Sequence, residues 1–473
     1  MKLADVSTAL QPHQQRVVDR LMDDDQPGLV AMHGLGSGKT LTSIAAADAL
    51  GMPADVVLPA ALRANYQKEL AKHAPTNAPE THIQSLENVA RHQTPLRNPF
   101  LIVDEAHRTR NLTKTQRALR NNEAQKRLLL TGSLFYNHPS DAAGPINLVA
   151  GGTVLPSDPD EFKQRYVREI ENKPGILGKL MGQQPSVKYD VNPAHRDELQ
   201  GILKKYVDYH PGSKDEFPTR TDETIGVPMS SRQKEIYDTI LGKAPTWVSE
   251  RVRTGLPPRK SEVAQLNRFL QGTRQVSNST APYHLDRAAE QPKIDRAVQE
   301  LNAMLSQNPR AKALIYSNYL DAGINPYKAK LDELHIPYGE FTGNVNKTKR
   351  DQMVQDYNAN KLRALLLSRA GGEGLDLKGT RLIQLMEPAW NEESLKQVTG
   401  RGIRYRSHAD LPPEEQNVRV QHYVSQNPRQ GLAQRLHLKD PDRSVDQYLL
   451  GLAQQKEELN QRFRDLLSDG RTS

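Results

Sequence analysis

The sequence has no cysteine, few aromatic residues and no long apolar run. Zero cysteines in 473 residues exclude disulfides and thiolate metal sites. The apolar runs have the length of strands, and none approaches the ~18 residues that a membrane helix needs. Residues 1–10 also lack the basic start and the long apolar stretch of a signal peptide. We therefore expect a cytoplasmic protein, or one of the host cytoplasm if its source is viral, with no membrane partner.

Positive charge is what the chain has in excess. Its 64 Lys and Arg outnumber its 56 Asp and Glu, which gives a net charge of +8 and an isoelectric point near 9.3. This balance favours an anionic partner, nucleic acid before a membrane surface, although a merely basic soluble protein has the same composition. The length predicts two or three domains.

A glycine-rich turn separates the first apolar strand from a helix. Residues 28–32 predict a buried parallel strand, and residues 39–50 predict a helix that Gly51 ends. Strand, turn and helix in this order form the context of a phosphate-binding loop, although an ordinary glycine turn has a similar sequence. The general pattern has glycine where this chain has His33, which we interpret as a packing or entry residue. The predicted nucleotide-binding residues of the loop are Gly34, Gly36, Ser37, Gly38, Lys39 and Thr40.

Each residue type in this loop has a chemical reason. Glycines let backbone N–H groups approach phosphates, and the helix N-terminus adds partial positive charge. The Lys39 ammonium is expected to reach the β- and γ-phosphates, and the Thr40 hydroxyl to bind Mg²⁺. The loop therefore predicts ATP and Mg²⁺ as cofactors.

An acid pair follows another apolar strand. Residues 100–103 predict a strand, and its carboxyl end carries Asp104 and Glu105. Ligands of parallel α/β sheets sit at the carboxyl ends of strands, so the acid pair and the loop are expected at one edge. Asp104 would hold Mg²⁺, and Glu105 would polarise the attacking water. Alone the pair could be a solvated acidic loop, but the loop upstream makes catalytic acids the stronger interpretation.

These residues recur in an order that resembles the superfamily-two helicases and translocases, within them the Swi/Snf-like branch. In the first half, Leu10 to Gln14 resembles the adenine-reading segment, with Gln14 at the adenine position. Residues 57–62 and 65–70 are similar to the next motif, and residues 85–87 to a short serine motif with Leu86 in place of an aromatic residue. Residues 104–111 (DEAHRTRN) and 129–133 (LLTGS) follow the branch closely.

The second half carries the remaining motifs. Residues 312–317 predict a strand and resemble the first motif of the second lobe. Residues 341–343 resemble the family's groove-contacting segment, and residues 366–377 resemble its glycine-rich motif. Trp390-Asn391 matches the next pair, and Gln397-x-x-Gly400-Arg401-x-x-Arg404 matches the last motif. The sequence departs from the branch at Glu373, at Asp376 and at residues 406–408, where the branch continues with Gly-Gln.

The resemblance implies roles for residues outside the loop. Arg401 and Arg404, at a spacing that places both on one helix face, would act as arginine fingers across the cleft. Gly372 and Asp376 would join the nucleotide site. Residues expected to couple the ATP site to the nucleic-acid groove are Thr131, Gly132, Ser133, His107 and Gln397. Candidate nucleic-acid contacts, each with an equally plain interpretation as a solvated residue, are Arg63, Ser85, Thr342, Ser368 and Arg369.

The implied fold is α/β, with two tandem RecA-like parallel-sheet lobes, helical protrusions and a C-terminal helix. We expect lobe one at 1–228 with a helical protrusion at about 151–215, and a helical linker at 229–290. Lobe two is expected at 291–440. A final helix at 441–473, with a capping box from Ser444 and Gln447, is expected to brace lobe two.

The function that follows is an ATP-dependent motor, most simply a double-stranded DNA translocase that acts as a monomer. Because the chain is nearly all motor, targeting would come from a protein partner or from DNA structure. Two alternatives stay open: a helicase that separates DNA or RNA strands, and a nucleotide-switched binding protein with little turnover. The intact acid pair and arginines argue against the switch.

Overall fold

The computed structural model shows two compact units. It describes residues 6, 8–34, 36–75, 80–109, 114–172, 186–212, 217–283, 288–343, 345–368, 375–389, 392–404, 406–436 and 440–468, and only the backbone of residues 260, 347, 392–394, 397 and 433. The first unit comprises residues 1–170, 189–214 and 458–473, and the second comprises residues 171–188 and 215–457.

The strands are β1 Gly28–His33, β2 Ala54–Leu58, β3 Thr81–Ser85, β4 Phe100–Val103, β5 Lys126–Thr131, β6 Val167–Asn172, β7 Ser186–Val191, β8 Val207–His210, β9 Thr219–Pro228, β10 Lys312–Tyr316, β11 Tyr338–Phe341, β12 Ala364–Leu367, β13 Thr380–Leu385 and β14 Asn417–Gln426. The α-helices are α1 Pro12–Met22, α2 Lys39–Leu50, α3 Arg63–His73, α4 Leu86–His92, α5 Lys114–Arg120, α6 Ala143–Ala150, α7 Pro159–Tyr166, α8 Arg196–Tyr206, α9 Ser231–Gly242, α10 Thr246–Thr254, α11 Val263–Asn278, α12 Pro292–Gln307, α13 Asn325–Glu333, α14 Lys347–Asn358, α15 Glu392–Gly402, α16 Gly431–Arg435 and α17 Val445–Ser468.

The first unit contains a six-stranded parallel sheet in the order β3-β2-β4-β5-β1-β8. Strands β1, β2 and β4 are buried along their whole length, as expected of strands that helices cover on both faces. Since β5 lies between β1 and β4, the turns after these three strands are neighbours at the carboxyl edge. This edge is where the predicted loop and acid pair lie.

The second unit contains another six-stranded parallel sheet, in the order β11-β12-β10-β13-β14-β9. Two tandem parallel sheets with many helices confirm the predicted α/β, RecA-like fold. Helices α9, α10 and α11 form a separate apolar cluster around Tyr237, Leu266 and Leu270 within this unit.

One strand lies in a different sheet from the one we predicted. Lobe one was expected to extend to residue 228, but β9 pairs with β14 of the second sheet from Thr219 to Pro228. The edge beside β1 is already occupied by β8, whose residues pair with it from Val207 to His210. The boundary predicted at residue 228 is therefore wrong, because the sheet change precedes β9.

The predicted helical protrusion at about 151–215 also contains strands. Helices α7 and α8 are present, but β6 and β7 form a two-stranded sheet and β8 belongs to the main sheet. Alternation in this segment is weak because most β6 side chains are exposed and β8 has only four residues. The sequence pattern therefore did not predict β6, β7 and β8.

The last helix starts as the sequence predicts. The Ser444 N–H donates to Gln447 Oε1 over 2.9 Å, and the Gln447 N–H donates to Ser444 Oγ over 3.1 Å, which is the predicted capping box. Val445 and Leu449 pack in the second unit, whereas Leu459 and Phe463 belong to the apolar core of the first. Only the first half of the helix packs in the second unit, as the predicted brace requires.

Among the described helices, none combines the length and the apolar character that crossing a membrane requires.

Candidate functional site

The glycine-rich turn after β1 has the backbone of a phosphate loop. Gly36 and Gly38 have φ angles of 72° and 70°, a left-handed region that glycine adopts at little cost. Helix α2 begins directly afterwards at Lys39, so its N-terminal N–H groups lie beside the turn. Lys39 Nζ donates to the carbonyls of His33 (3.0 Å) and Gly34 (3.2 Å). The ammonium therefore lies over the turn that the sequence assigns to phosphate.

Two further loop residues have defined places. The buried Ser37 hydroxyl donates to the Gly34 carbonyl over 2.8 Å, which closes the turn from inside. Thr40 is the second residue of α2. Burial lowers the pKa of Lys39, while the carboxylates of Glu105 and Asp104 act in the opposite direction. The loop lysine thus lies within the field of both predicted catalytic acids.

Helix α1 supports the loop from the side. Gln14 Nε2 donates to the carbonyls of Ser37 (3.1 Å) and Gly38 (3.3 Å), and Gln14 Oε1 accepts from the Gln11 N–H over 2.8 Å. A Cβ at Gly38 would lie 2.3 Å from Gln14 Nε2, a second reason for glycine there. The Gln14 amide thus holds the loop in this structure, and its contact with adenine stays a prediction.

The strand β8 brackets the loop on its other side. The Gly34 N–H donates to the His210 carbonyl over 2.9 Å, and a Cβ at Gly34 would lie 2.3 Å from the Pro211 carbonyl oxygen. The His210 ring stacks on the His13 ring at 3.9 Å, and His13 Nε2 lies 2.8 Å from the Ser37 carbonyl. Residues far apart in the chain therefore hold Gly34 and Ser37 of the loop.

A buried carboxylate explains why histidine replaces glycine at position 33. The His33 ring is fully buried, and its Nε2 donates to Asp208 Oδ1 over 2.8 Å. Arg16 donates to both oxygens of the same carboxylate, at 2.6 and 2.8 Å. Burial raises the pKa of Asp208, but the hydrogen bonds from Arg16 and His33 outweigh it and hold the pKa far below its usual range. His33 is thus a packing residue, one of our two interpretations.

The acid pair lies at the end of β4. Asp104 is buried, its N–H donates to the Val57 carbonyl over 2.9 Å, and its Oδ1 accepts from the Glu105 N–H over 2.8 Å. Burial, with the Glu105 charge, raises the pKa of Asp104 to about 6. A hydrogen bond from His107 lowers the pKa of Glu105. Neighbouring carboxyls pushed in opposite directions are typical of sites with divided chemical roles.

The residues at this edge suit a divalent cation that also binds the phosphates of a nucleotide. The raised pKa of Asp104 reports a buried carboxylate that a nearby cation would stabilise in its charged form. Within the described part of the chain, no cluster of three or more His, Asp or Glu side chains could form a metal cage. Mg²⁺ is commonly held by one or two protein oxygens together with substrate phosphates, which suits Asp104 and Thr40.

Four of the five predicted coupling residues, all but Gln397, follow neighbouring strands β4 and β5 or end one of them. The Thr131 hydroxyl donates to the Ser133 carbonyl over 2.9 Å and accepts from the Ser133 N–H over 3.2 Å, so it shapes the turn around the exposed Gly132. His107 Nδ1 lies 3.1 Å from Glu105 Oε2. The His107 ring is parallel to the Tyr136 ring, with centroids 5.5 Å apart. Tyr136 was not predicted from the sequence.

The candidate nucleic-acid contacts have mixed environments. Arg63 is exposed at the start of α3, whereas Ser85 is buried and its Oγ accepts from the Asn88 N–H over 3.1 Å as the cap of α4. Thr342 and Ser368 directly follow the paired strands β11 and β12, so they are neighbours at one edge of the second sheet. Arg369 lies outside the described residues. Binding by any of them stays a prediction.

The arginines of the last motif do not share a helix. Helix α15 ends at Gly402, where a Cβ would approach Thr380 Cγ2 to 3.1 Å, so Arg401 is helical and Arg404 lies in the following loop. The prediction of one helix face is therefore wrong. Arg404 Nη1 donates to the Leu375 carbonyl over 3.1 Å and lies 3.6 Å from Asp376 Oδ1. Gly372 and the Gln397 side chain lie outside the described residues.

Residues 406–408, which differ from the pattern of the Swi/Snf-like branch, shape and anchor the loop after α15. Arg406 has a φ of 55°, the left-handed region in which the branch's glycine would be unstrained. The buried His408 donates through Nε2 to the Thr380 carbonyl over 2.6 Å, and its Nδ1 lies 2.8 Å from Ser407 Oγ. These contacts anchor the loop that carries Arg404 to the second sheet.

Asp208, His210 and Tyr136 are site residues that the sequence did not predict. Asp208 lies 175 residues from His33, and no local pattern reports such a pairing. The available signal was the histidine at position 33 itself, because a buried imidazole needs a polar partner.

Comparison with known proteins agrees with this architecture. Residues 57–282 match the model of the SNF2-related domain, and residues 293–406 match that of the helicase conserved C-terminal domain. The first parallel-sheet unit carries a phosphate loop, and the second matches the helicase C-terminal type. This combination defines a superfamily-two ATP-dependent motor. Within that superfamily, the chain belongs to the Swi/Snf-like branch.

Two similar relatives are viral proteins. The chain is 28% identical over 486 residues to the putative ATP-dependent RNA helicase L538 of Acanthamoeba polyphaga mimivirus, covering 98% of this chain and 97% of the relative. It is 25% identical over 557 residues to the termination factor NPH-I homolog of African swine fever virus, covering 93% of this chain and 75% of the relative. A solved Sulfolobus solfataricus SWI2/SNF2 ATPase core in complex with dsDNA is 18% identical, with a TM-score of 0.39 and 98% coverage of both chains.

Proposed function

We propose that this chain hydrolyses ATP in response to nucleic acid and uses the energy to translocate on duplex DNA. The observation that carries the proposal is the arrangement of Lys39, Asp104 and Glu105 in the first unit. A lysine over a phosphate loop and two carboxylates with opposed pKa shifts lie at one edge of one sheet. Such an edge supplies phosphate binding, a metal ligand and a polarising base together.

The residues divide the reaction between them. The loop N–H groups and Lys39 would bind the β- and γ-phosphates, and Thr40 and Asp104 would hold Mg²⁺, which when bound would neutralise charge on the phosphates. Glu105, kept ionised by His107, accepts a hydrogen bond from the attacking water and aligns it with the γ-phosphorus. Arg401 and Arg404 are proposed to stabilise the charge that develops on the transferred phosphoryl group.

Duplex DNA is the proposed track because of the net charge of +8 and the membership in the Swi/Snf-like branch. The helicase name of the mimivirus relative favours strand separation, on RNA or DNA, as the second candidate. Triplex displacement measures translocation, and displacement of one labelled strand measures unwinding. Triplex displacement without strand displacement supports the proposal, and the reverse result supports the second candidate.

Variants of the chain test the site. Lys39→Ala and Glu105→Gln should abolish nucleic-acid-stimulated ATPase, and Glu105→Gln should still bind ATP because the change removes charge without removing volume. The exposed Lys243→Ala and Glu161→Gln are matched controls that should keep wild-type rates. Wild-type turnover in Lys39→Ala or Glu105→Gln contradicts the assignment.

The arginine roles have their own test. Losing an arginine finger lowers the rate about 10³-fold or more in related enzymes. Arg401→Ala and Arg404→Ala should therefore reduce kcat strongly, whereas Arg419→Ala, an exposed arginine of β14, should not. A loss of less than about tenfold in both variants contradicts their proposed role.

A further inference from the structure

Tyr136 lies against the histidine that contacts the proposed base. Its half-buried ring is parallel to the His107 ring, with an interplanar angle of 3° and centroids 5.5 Å apart. This is an offset stack, the arrangement that aromatic pairs prefer. On its other side His107 directs Nδ1 to Glu105 Oε2 at 3.1 Å. One imidazole therefore connects the tyrosine ring to the carboxylate.

Glu105 needs such support because its backbone is strained. Its φ of 52° lies in the left-handed region, which costs a residue with a Cβ about 1–2 kcal/mol. Strain of this kind persists only where neighbouring contacts determine the conformation. The contact described for the Glu105 carboxylate is the one with His107, so the orientation of that ring contributes to where the carboxylate points.

The backbone on both sides of Tyr136 is held by packing and hydrogen bonds. The preceding residue, Phe135, is buried and packs edge-on against Phe463. The following residue, Asn137, donates its N–H to Asp141 Oδ2 over 2.7 Å. The Ser133 hydroxyl donates to the Phe135 carbonyl over 3.2 Å, which ties the segment to the end of β5. Tyr136 is therefore held on both sides of its own backbone.

We propose that Tyr136 is a positioning residue for ATP hydrolysis. Its ring holds the His107 imidazole in the plane that keeps Nδ1–H directed at Glu105, and this in turn aligns the carboxylate with the attacking water. The inference rests on the proposed ATPase function. Tyr136 touches neither ATP nor the water in this account and acts only through His107.

The test is steady-state ATPase of Tyr136→Phe, Tyr136→Leu and Tyr136→Ala under stimulating nucleic acid. A displacement of about 1 Å at a reacting group can cost 10²-fold in rate. Tyr136→Leu and Tyr136→Ala should thus lose about 10- to 100-fold in kcat with the KM for ATP within about twofold. Tyr136→Phe keeps the ring and should stay within about threefold of wild type. Tyr189→Ala, a half-buried tyrosine of the same unit, is the control.

A double-mutant cycle separates positioning from a general loss of structure. If Tyr136 acts through His107, Tyr136→Ala added to His107→Ala should lower kcat no further. Multiplying losses in the double variant, wild-type kcat in Tyr136→Ala, or equal losses in Tyr136→Phe and Tyr136→Ala would each overturn the inference. An inactive wild-type chain would instead refute the proposed function, which separates the two failures.

Discussion

Removing the carboxylate of Asp208 should destabilise the first unit strongly. The side chain is 1% exposed and accepts two hydrogen bonds from Arg16 and one from His33, and Arg20 lies 3.5 Å away. Asp208→Ala leaves the fully buried His33 without its partner, and the other ring nitrogen of His33 already has no hydrogen bond in the structure. Breaking a buried pair in this way costs about 3–5 kcal/mol.

The second unit offers a matched control with the same chemistry at the surface. Asp222 contacts Arg220 at 2.6 Å and His422 at 2.9 Å, but it is 42% exposed. Exposed ion pairs contribute about 0–1 kcal/mol because water and salt screen them. Asp222→Ala should therefore change stability little, although its contact list resembles that of Asp208.

The assay must report each unit separately, since a chain with two units need not unfold in one step. Hydrogen exchange of the β1 and β8 amides reports the first unit, and exchange of the β14 amides reports the second. Asp208→Ala should accelerate exchange in β1 and β8 by 10²-fold or more, which corresponds to about 3 kcal/mol. If Asp208→Ala accelerates amide exchange in the first unit no more than Asp222→Ala does in the second, the buried carboxylate does not stabilise its unit as proposed.

Three further predictions concern pH, a buried lysine and a strained loop. Burial lowers the pKa of His33, so below about pH 6.5 the unfolded chain binds a proton that the folded chain does not. Protection of β1 should therefore fall as the pH drops from 7.5 to 5.5, and less so in His33→Gln. Lys293 and Asp446 form a buried pair at 2.7 Å, so Lys293→Ala should cost about 3–5 kcal/mol in urea unfolding, whereas the exposed Lys361→Ala should cost under about 1 kcal/mol. At position 406, Arg406→Val should be about 1–2 kcal/mol less stable than Arg406→Gly by thermal unfolding, because only glycine tolerates a φ of 55° without strain.

Local patterns predicted much of the fold and of the nucleotide loop. Helix α2 spans Lys39–Leu50 and ends at Gly51 as the sequence predicts, because apolar periodicity and a terminal glycine are signals carried by neighbouring residues. The capping box at Ser444 is a signal of the same kind. Both belong to interactions within one turn of chain, which a sequence shows directly.

The rest depends on contacts between distant residues. The local sequence does not decide whether β8 or β9 completes the first sheet, and the fold of the whole chain places β8 there. Likewise, α15 ends at Gly402, which lies close to Thr380, a residue 22 positions earlier, so Arg404 falls outside the helix. Such choices are decided by tertiary packing, which overrides a helical spacing read from two arginines.

The most direct test of the account is steady-state ATPase without nucleic acid and with duplex DNA, single-stranded DNA or RNA, using Lys39→Ala as control. We predict strong stimulation of the wild-type chain by duplex DNA and none in Lys39→Ala. Preference for single strands or RNA would contradict the duplex translocase and favour a strand-separating helicase. Hydrolysis at background with every nucleic acid would contradict the motor itself.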